Sequence, residues 1–291
     1  MDKISKAAEF ITDLRFTLRQ EPQIPETFRP DNPAAGYAVQ EGVVDRLLKK
    51  NGGRAVGYKV ACTNKLAQEL LSTDTPFYGR LLSPFVYQSP ARVNAKDFSM
   101  RLIEAEFSFK LAGDLPREGA PYDRESVADA VAAILPSIEL VDTRYSVWTE
   151  VPLPSLISDN GCNSGWVQGK ATEAWRHIDL ASHEVRLRVN GADKLSGSGA
   201  AVLGHPLNSV VWLANTLCEQ GKQLKAGDLV STGVCTDIYL AEPGDHIVAD
   251  FGTLGTAEVS FFLKGGTPCR IWLILPFWMQ SRRLNSCEPK K

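Results

Sequence analysis

The chain has 291 residues, 44% hydrophobic and 23% charged, a composition that suits one large folded domain or two small ones. Its formal charge of −2 leaves no electrostatic footprint for nucleic acid or for an anionic membrane, so neither is expected as a partner. Six scattered cysteines without a CxxC pair and four dispersed histidines argue against structural zinc. With no apolar signal-peptide run and no stretch long enough to span a bilayer, a reducing, cytoplasmic setting is expected.

Residues 3–20 place Ile4, Ala7, Ala8, Ile11, Leu14 and Leu18 on one face, which predicts a helix. The proline-bearing segment 20–32 predicts a loop. A second helix is expected from about 34 to 50, stopped by Gly52-Gly53. Residues 56–63 then alternate as a strand, with Lys59 between the small residues Gly57 and Ala61. Such a lysine is either a surface residue of a half-buried strand or one with room for a ligand beside it. A short helix over 65–71, a turn at 75–79 and short strands near 84–88 and 98–102 follow.

Residues 103–109 alternate strictly. Ile103, Ala105, Phe107 and Phe109 take one face of a strand; Glu104, Glu106 and Ser108 take the other. Acids two apart on a strand sit about 7 Å apart at the backbone and repel unless a cation lies between them. Residues 123–134 read as a helix ended by Pro136, and 137–141 as a strand carrying a third acid, Glu139. The two glutamates of 103–109 either line a solvated sheet face or join Glu139 as oxygen ligands of a hard divalent cation.

Asp159-Asn160-Gly161 is turn chemistry, and Asn190-Gly191 marks a hairpin after the alternating run 183–190. The glycines at 197, 199 and 204 match neither a dinucleotide fingerprint nor a P-loop. A helix from Pro206 to Gly221 precedes short strands from Leu229 to Phe262. The tally is α+β with a mostly β core, not a parallel α/β sheet. Residues 271–279 are strongly apolar but too short for a membrane span.

Several segments then occur in a telling order: Tyr37-Ala38-Val39-Gln40, Gly57-Tyr58-Lys59-Val60, Ile103-Glu104-Ala105-Glu106-Phe107, Ile138-Glu139-Leu140-Val141-Asp142, Asp159-Asn160, Leu203-Gly204-His205-Pro206, and Gly227-Asp228 through Gly233. Together they resemble the 2-keto-4-pentenoate hydratase and oxalocrotonate decarboxylase branch of the fumarylacetoacetate hydrolase superfamily, over residues 1–262. The resemblance implies a twisted sheet roll with peripheral helices and an N-terminal helical segment, assembled as a homo-oligomer. The expected divisions are an N-terminal helical or cap region at 1–90, a catalytic β core at 91–264 and an atypical tail at 265–291.

The resemblance also implies a Mg²⁺ or Mn²⁺ site at Glu104, Glu106 and Glu139. It puts Lys59 near the substrate as a catalytic residue, and Asn160, Cys162 and Thr232 at the substrate. The implied activity is that of a metal-dependent lyase on a small 2-oxo acid: hydration of 2-hydroxypenta-2,4-dienoate-type compounds through a metal-chelated enolate, as in aromatic compound catabolism. The alternatives are decarboxylation of the 4-oxalocrotonate type, C–C hydrolysis of an acylpyruvate, and a non-catalytic homologue that only binds metal and 2-oxo acid. Two positions depart from the branch. Hydratases there often carry Pro-Asp-Phe-Gly where this chain has Pro76-Phe77-Tyr78-Gly79, so that acid is absent. Cys162 stands where a serine is frequent.

Overall fold

The computed structural model describes residues 1–263; the expected tail at 265–291 lies outside the described residues. The first half runs α1 (Lys3–Thr17), α2 (Pro33–Asn51), β1 (Ala55–Ala61), α3 (Lys65–Leu70), β2 (Phe77–Leu82), β3 (Val86–Gln88), β4 (Ala91–Asn94), β5 (Leu102–Leu111), α4 (Arg124–Ala130) and β6 (Val131–Val141). The second half runs α5 (Leu153–Ser158), β7 (Asn163–Gln168), β8 (Glu184–Val189), β9 (Ala192–Ser198), α6 (Pro206–Glu219), β10 (Leu229–Val234), β11 (Tyr239–Leu240), β12 (His246–Asp250) and β13 (Thr256–Phe262). Local chemistry sets the helix ends. The Asp2 carboxylate accepts the Ser5 N–H at 2.8 Å, and the Asn32 side chain accepts that of Ala35 at 2.9 Å. Pro206 takes the first turn of α6 behind a His205 cap.

Two sheets form the body. One has the order β2-β1-β10-β5-β6-β7-β3, with β11 also on β5; the other has the order β4-β13-β12-β8-β9. Among the named strands of the described residues, only β1–β10, β3–β7 and β4–β13 pair in parallel, so the fold is α+β and strand-rich, as expected. The strands of residues 55–88 pair into the same sheet as β5 and β6. Asn190 and Gly191, at φ 53° and 84°, make the tight turn between β8 and β9.

The odd-numbered face of β5 carries Ile103, Ala105, Phe107 and Phe109 into the main core. They pack there with Val185, Leu187, Ile247, Val259 and Phe261 of the second sheet and with α6. Helices α1, α2 and α5 close a second cluster with Phe77, Leu102 and Val141. No helix among the described residues is long and apolar enough to cross a membrane.

Two expectations are corrected. The helix predicted over 123–134 covers only Arg124–Ala130, and Pro136 lies inside β6, opposite Phe107. The β-branched Val131 and Ile134 already belong to the strand. The Pro136 carbonyl accepts the Gly169 N–H at 2.8 Å, so its nitrogen faces the end of β7 and the β5 ladder loses no donor. In the run expected as a strand at 98–102, only Leu102 enters β5, while the strand Ala91–Asn94 carried no signal that was read.

Candidate active site

The even-numbered face of β5 is no solvated surface. Glu106 and Ser108 are fully buried and Glu104 is half-buried. Antiparallel pairing sets Glu104 directly opposite Glu139 of β6, with Glu106 two residues along the same face. One carboxylate oxygen from each of the three lies within 4.8 Å of the others. Lys59 enters from β1, only 2% exposed, and its Nζ lies 3.2 Å from Glu139 Oε1.

Neutral donors fix the acids. Glu106 Oε2 accepts the Ser231 hydroxyl at 2.5 Å and the Gly233 N–H at 2.9 Å. Ser231 Oγ in turn accepts from Trp166 Nε1 at 3.0 Å and from Ser108 at 3.1 Å. Ser137 spans 2.7 Å to Ser108 and donates to the Glu106 carbonyl at 2.9 Å. Glu139 Oε1 accepts from Asn163 Nδ2 at 2.9 Å. Gly233 sits at φ 103°, where a side chain would collide with Thr63, and this backbone aims its N–H at Glu106.

Burial and the charges of neighbouring acids press these groups toward neutrality. Burial and the Glu139 charge push Glu104 up to about 7 against the pull of Lys59. Burial, then Glu139 and Glu104, raise Glu106 well above the carboxylate range. Burial works to lower Lys59, but Glu139, Glu104 and Glu106 together raise it above its ordinary value, so it stays an ammonium. Glu106 Oε1 and Glu139 Oε2 are buried without a hydrogen-bond partner among the described residues. An all-oxygen donor set, crowded with negative charge and holding two orphaned oxygens, fits a hard divalent cation.

A cavity of about 110 Å³ opens onto Lys59 and Glu104, and Cys162, Gly161, Phe77 and Gly233 also line it. Of the expected substrate residues, Cys162 therefore faces the cavity, while the Asn160 and Thr232 side chains are engaged elsewhere. Asn160 accepts from the Arg80 N–H at 2.7 Å and donates to the Arg80 carbonyl at 3.0 Å, tying the 159–162 turn to β2. The Thr232 hydroxyl donates to the Phe107 carbonyl at 2.8 Å. Burial, then Asp159, push the Cys162 thiol up to about 12, so it is no thiolate nucleophile at neutral pH. Ser231, Asn163 and Trp166 were not singled out from the sequence. Ser231 lies inside the quoted 227–233 segment, and strand alternation there would have separated it from Thr232.

Comparison with known proteins places this geometry. Residues 59–261 match the family model described as fumarylacetoacetate (FAA) hydrolase C-terminal. The chain is 30% identical over 236 residues to a 2-keto-4-pentenoate hydratase of Paraburkholderia xenovorans (strain LB400), covering 81% of this chain and 86% of that one. It is 29% identical over 260 residues to a 4-oxalocrotonate decarboxylase of Pseudomonas sp. (strain CF600), covering 89% and 97%. The 4-oxalocrotonate decarboxylase from Pseudomonas putida G7, solved with magnesium and adipate, superposes with a TM-score of 0.82 at 28% identity, over 89% of this chain and 97% of that one.

Proposed function

The chain belongs to the fumarylacetoacetate hydrolase family, and on that premise we propose a divalent-metal-dependent lyase that hydrates 2-hydroxy-2,4-dienoic acids to 4-hydroxy-2-oxo acids. The observation that carries this reading is the cluster of Glu104, Glu106 and Glu139 with Lys59, beside a cavity that Lys59 and Glu104 line. The three carboxylates would hold Mg²⁺ or Mn²⁺, which when bound supplies Lewis acidity toward the carboxylate and C2 oxygens of a 2-oxo acid.

The chain's own groups do the rest. Lys59, paired with Glu139, offers its ammonium to a substrate oxygen, either binding the carboxylate or relaying a proton. Ser231 and the Gly233 N–H hold Glu106 Oε2 and leave Oε1 directed elsewhere. Phe77 and Leu156 give the cavity an apolar wall. Cys162 keeps its proton at Sγ and completes that wall. Homo-oligomeric assembly and a cytoplasmic location belong to the same reading.

A second reading, decarboxylation, is favoured by the long alignment and close superposition with the 4-oxalocrotonate decarboxylases. The deciding assay follows the dienol absorbance of 2-hydroxypenta-2,4-dienoate with Mg²⁺. Enzyme-dependent loss that yields 4-hydroxy-2-oxopentanoate and disappears in Glu106→Gln supports hydration. No turnover of this compound, with CO₂ released from 4-oxalocrotonate, replaces it by the second reading.

A further inference from the structure

Asn163 reaches the acids from an irregular place in the sheet. Leu140 pairs with Gly165, but Val141 pairs with Asn163, so Ser164 is an extra residue in β7. Cross-strand partners share a face, and Val141 lies two residues from Glu139 on the same face. Regular pairing would set Ser164 opposite Val141. The bulge sets Asn163 there instead, and its Nδ2 donates to Glu139 Oε1 at 2.9 Å.

Two guanidinium groups hold the two residues of this bulge. Arg15, in the last turn of α1, donates through Nη1 to the Asn163 carbonyl at 2.8 Å and lies 5.3 Å from the centre of the Phe85 ring. Arg144 donates to the Ser164 hydroxyl at 3.3 Å. Arg144 is also paired with Asp142 and Asp159, whereas the Asn163 carbonyl is the one hydrogen-bond acceptor of Arg15 among the described residues. Burial, then the Arg144 charge, lower Arg15 to about 10, which leaves it a cation at neutral pH. A hydrogen bond from a charged donor is about twice as strong as a neutral one.

We infer that Arg15 is a positioning residue of the metal site, its bond to the Asn163 carbonyl keeping the β7 bulge in the register that aims Asn163 Nδ2 at Glu139. The inference rests on the proposed metal-binding role of Glu139. It extends the site to α1, which lies outside the residues 59–261 that the family model matches. Without the Asn163 donor, Glu139 Oε1 keeps Lys59 at 3.2 Å, and the carboxylate is less firmly turned toward the other two acids.

Mn²⁺ titration of the full chain by electron paramagnetic resonance tests this in a double-mutant cycle, with urea unfolding to show that each variant is folded. Arg15→Met keeps an unbranched stem beside Phe85 and removes the donor. It should weaken Mn²⁺ binding about five- to tenfold, and Asn163→Ala about tenfold or more. In the Asn163→Ala background, Arg15→Met should add less than about twofold, because the two act through one bond to Glu139. Unchanged Mn²⁺ affinity in folded Arg15→Met overturns the inference, as do losses that simply multiply. Should Arg15→Met not fold, the cycle is run with Arg15→Lys, which keeps the charge but not the fork; its loss of about two- to threefold should likewise vanish beside Asn163→Ala. If the parent protein binds no Mn²⁺, the metal reading itself fails and the inference falls with it.

Discussion

Lys59 Nζ lies 3.2 Å from Glu139 Oε1, joining an ammonium and a carboxylate that are both out of reach of solvent. The ammonium balances part of the charge of three crowded acids and competes with any second cation for the same oxygen. Lys59→Met should therefore bind Mg²⁺ no more weakly than the parent, while turnover of the dienol falls by about 10²- to 10⁴-fold. Calorimetry and the dienol assay read the two separately. Metal binding lost together with Lys59 would contradict this account of the pair.

Ser231 and Thr232 are neighbours with opposite duties. Ser231→Ala removes the 2.5 Å hydrogen bond that orients Glu106. Metal affinity should drop about 10- to 100-fold, the usual cost of losing a group that orients a ligand. Thr232→Val instead strands the Phe107 carbonyl and should cost about 1–3 kcal/mol of stability with metal affinity unchanged. Mn²⁺ titration by electron paramagnetic resonance, beside urea unfolding, separates the two outcomes.

The Cys162 thiol is raised to about 12 by burial and then Asp159, from an ordinary value of 9.0. The unfolded chain thus ionises first as pH rises. The stability gained from keeping this thiol protonated is complete below pH 9 and declines above it. Iodoacetamide labelling of the Cys162 peptide in the native protein should stay slow and nearly flat from pH 6 to 9, then rise steeply once urea unfolds the chain. Rapid native labelling at pH 7 would identify a thiolate and reopen a catalytic role.

Arg144 lies buried between Asp159, 3.0 Å away, and Asp142, 3.4 Å away. This cluster anchors the turn that carries Gly161 and Cys162 into the cavity. Arg144→Met would take the nearest cation from two buried acids, leaving them Arg15 and, for Asp142, the N–H groups of Ser99, Met100 and Thr143, and should destabilise the protein by up to about 3–5 kcal/mol. Urea unfolding at pH 7 measures it; a loss below about 1 kcal/mol would mean that the turn does not depend on the ion pair.

Much of the site was legible because strand periodicity is local. The alternation of 103–109 separated the core residues Phe107 and Phe109 from the acids without any knowledge of what lay opposite. Glu139 was legible for the same reason, as was the hairpin at Asn190-Gly191. The helix over 123–134 misled because Val127, Val131 and Ile134 satisfy a helical spacing although all three are β-branched and the last two belong to the strand. What decided for the strand was pairing with β5 and the placing of the Pro136 nitrogen beyond the end of β7, and neither is encoded within the segment.

By itself, the sequence determined an α+β chain, a strand with one acidic and one apolar face, a lysine among small neighbours, and the order of segments that marks the family. Only the tertiary structure decided that the acidic face is buried, that Lys59 meets Glu139, and that Ser231 rather than Thr232 serves Glu106. Those facts depend on register between β1, β5, β6, β7 and β10, strands brought together from positions as distant in the chain as Lys59 and Ser231. A one-residue shift in any of these pairings turns every side chain of that strand to the other face, so the contacts exist only once the sheet has assembled.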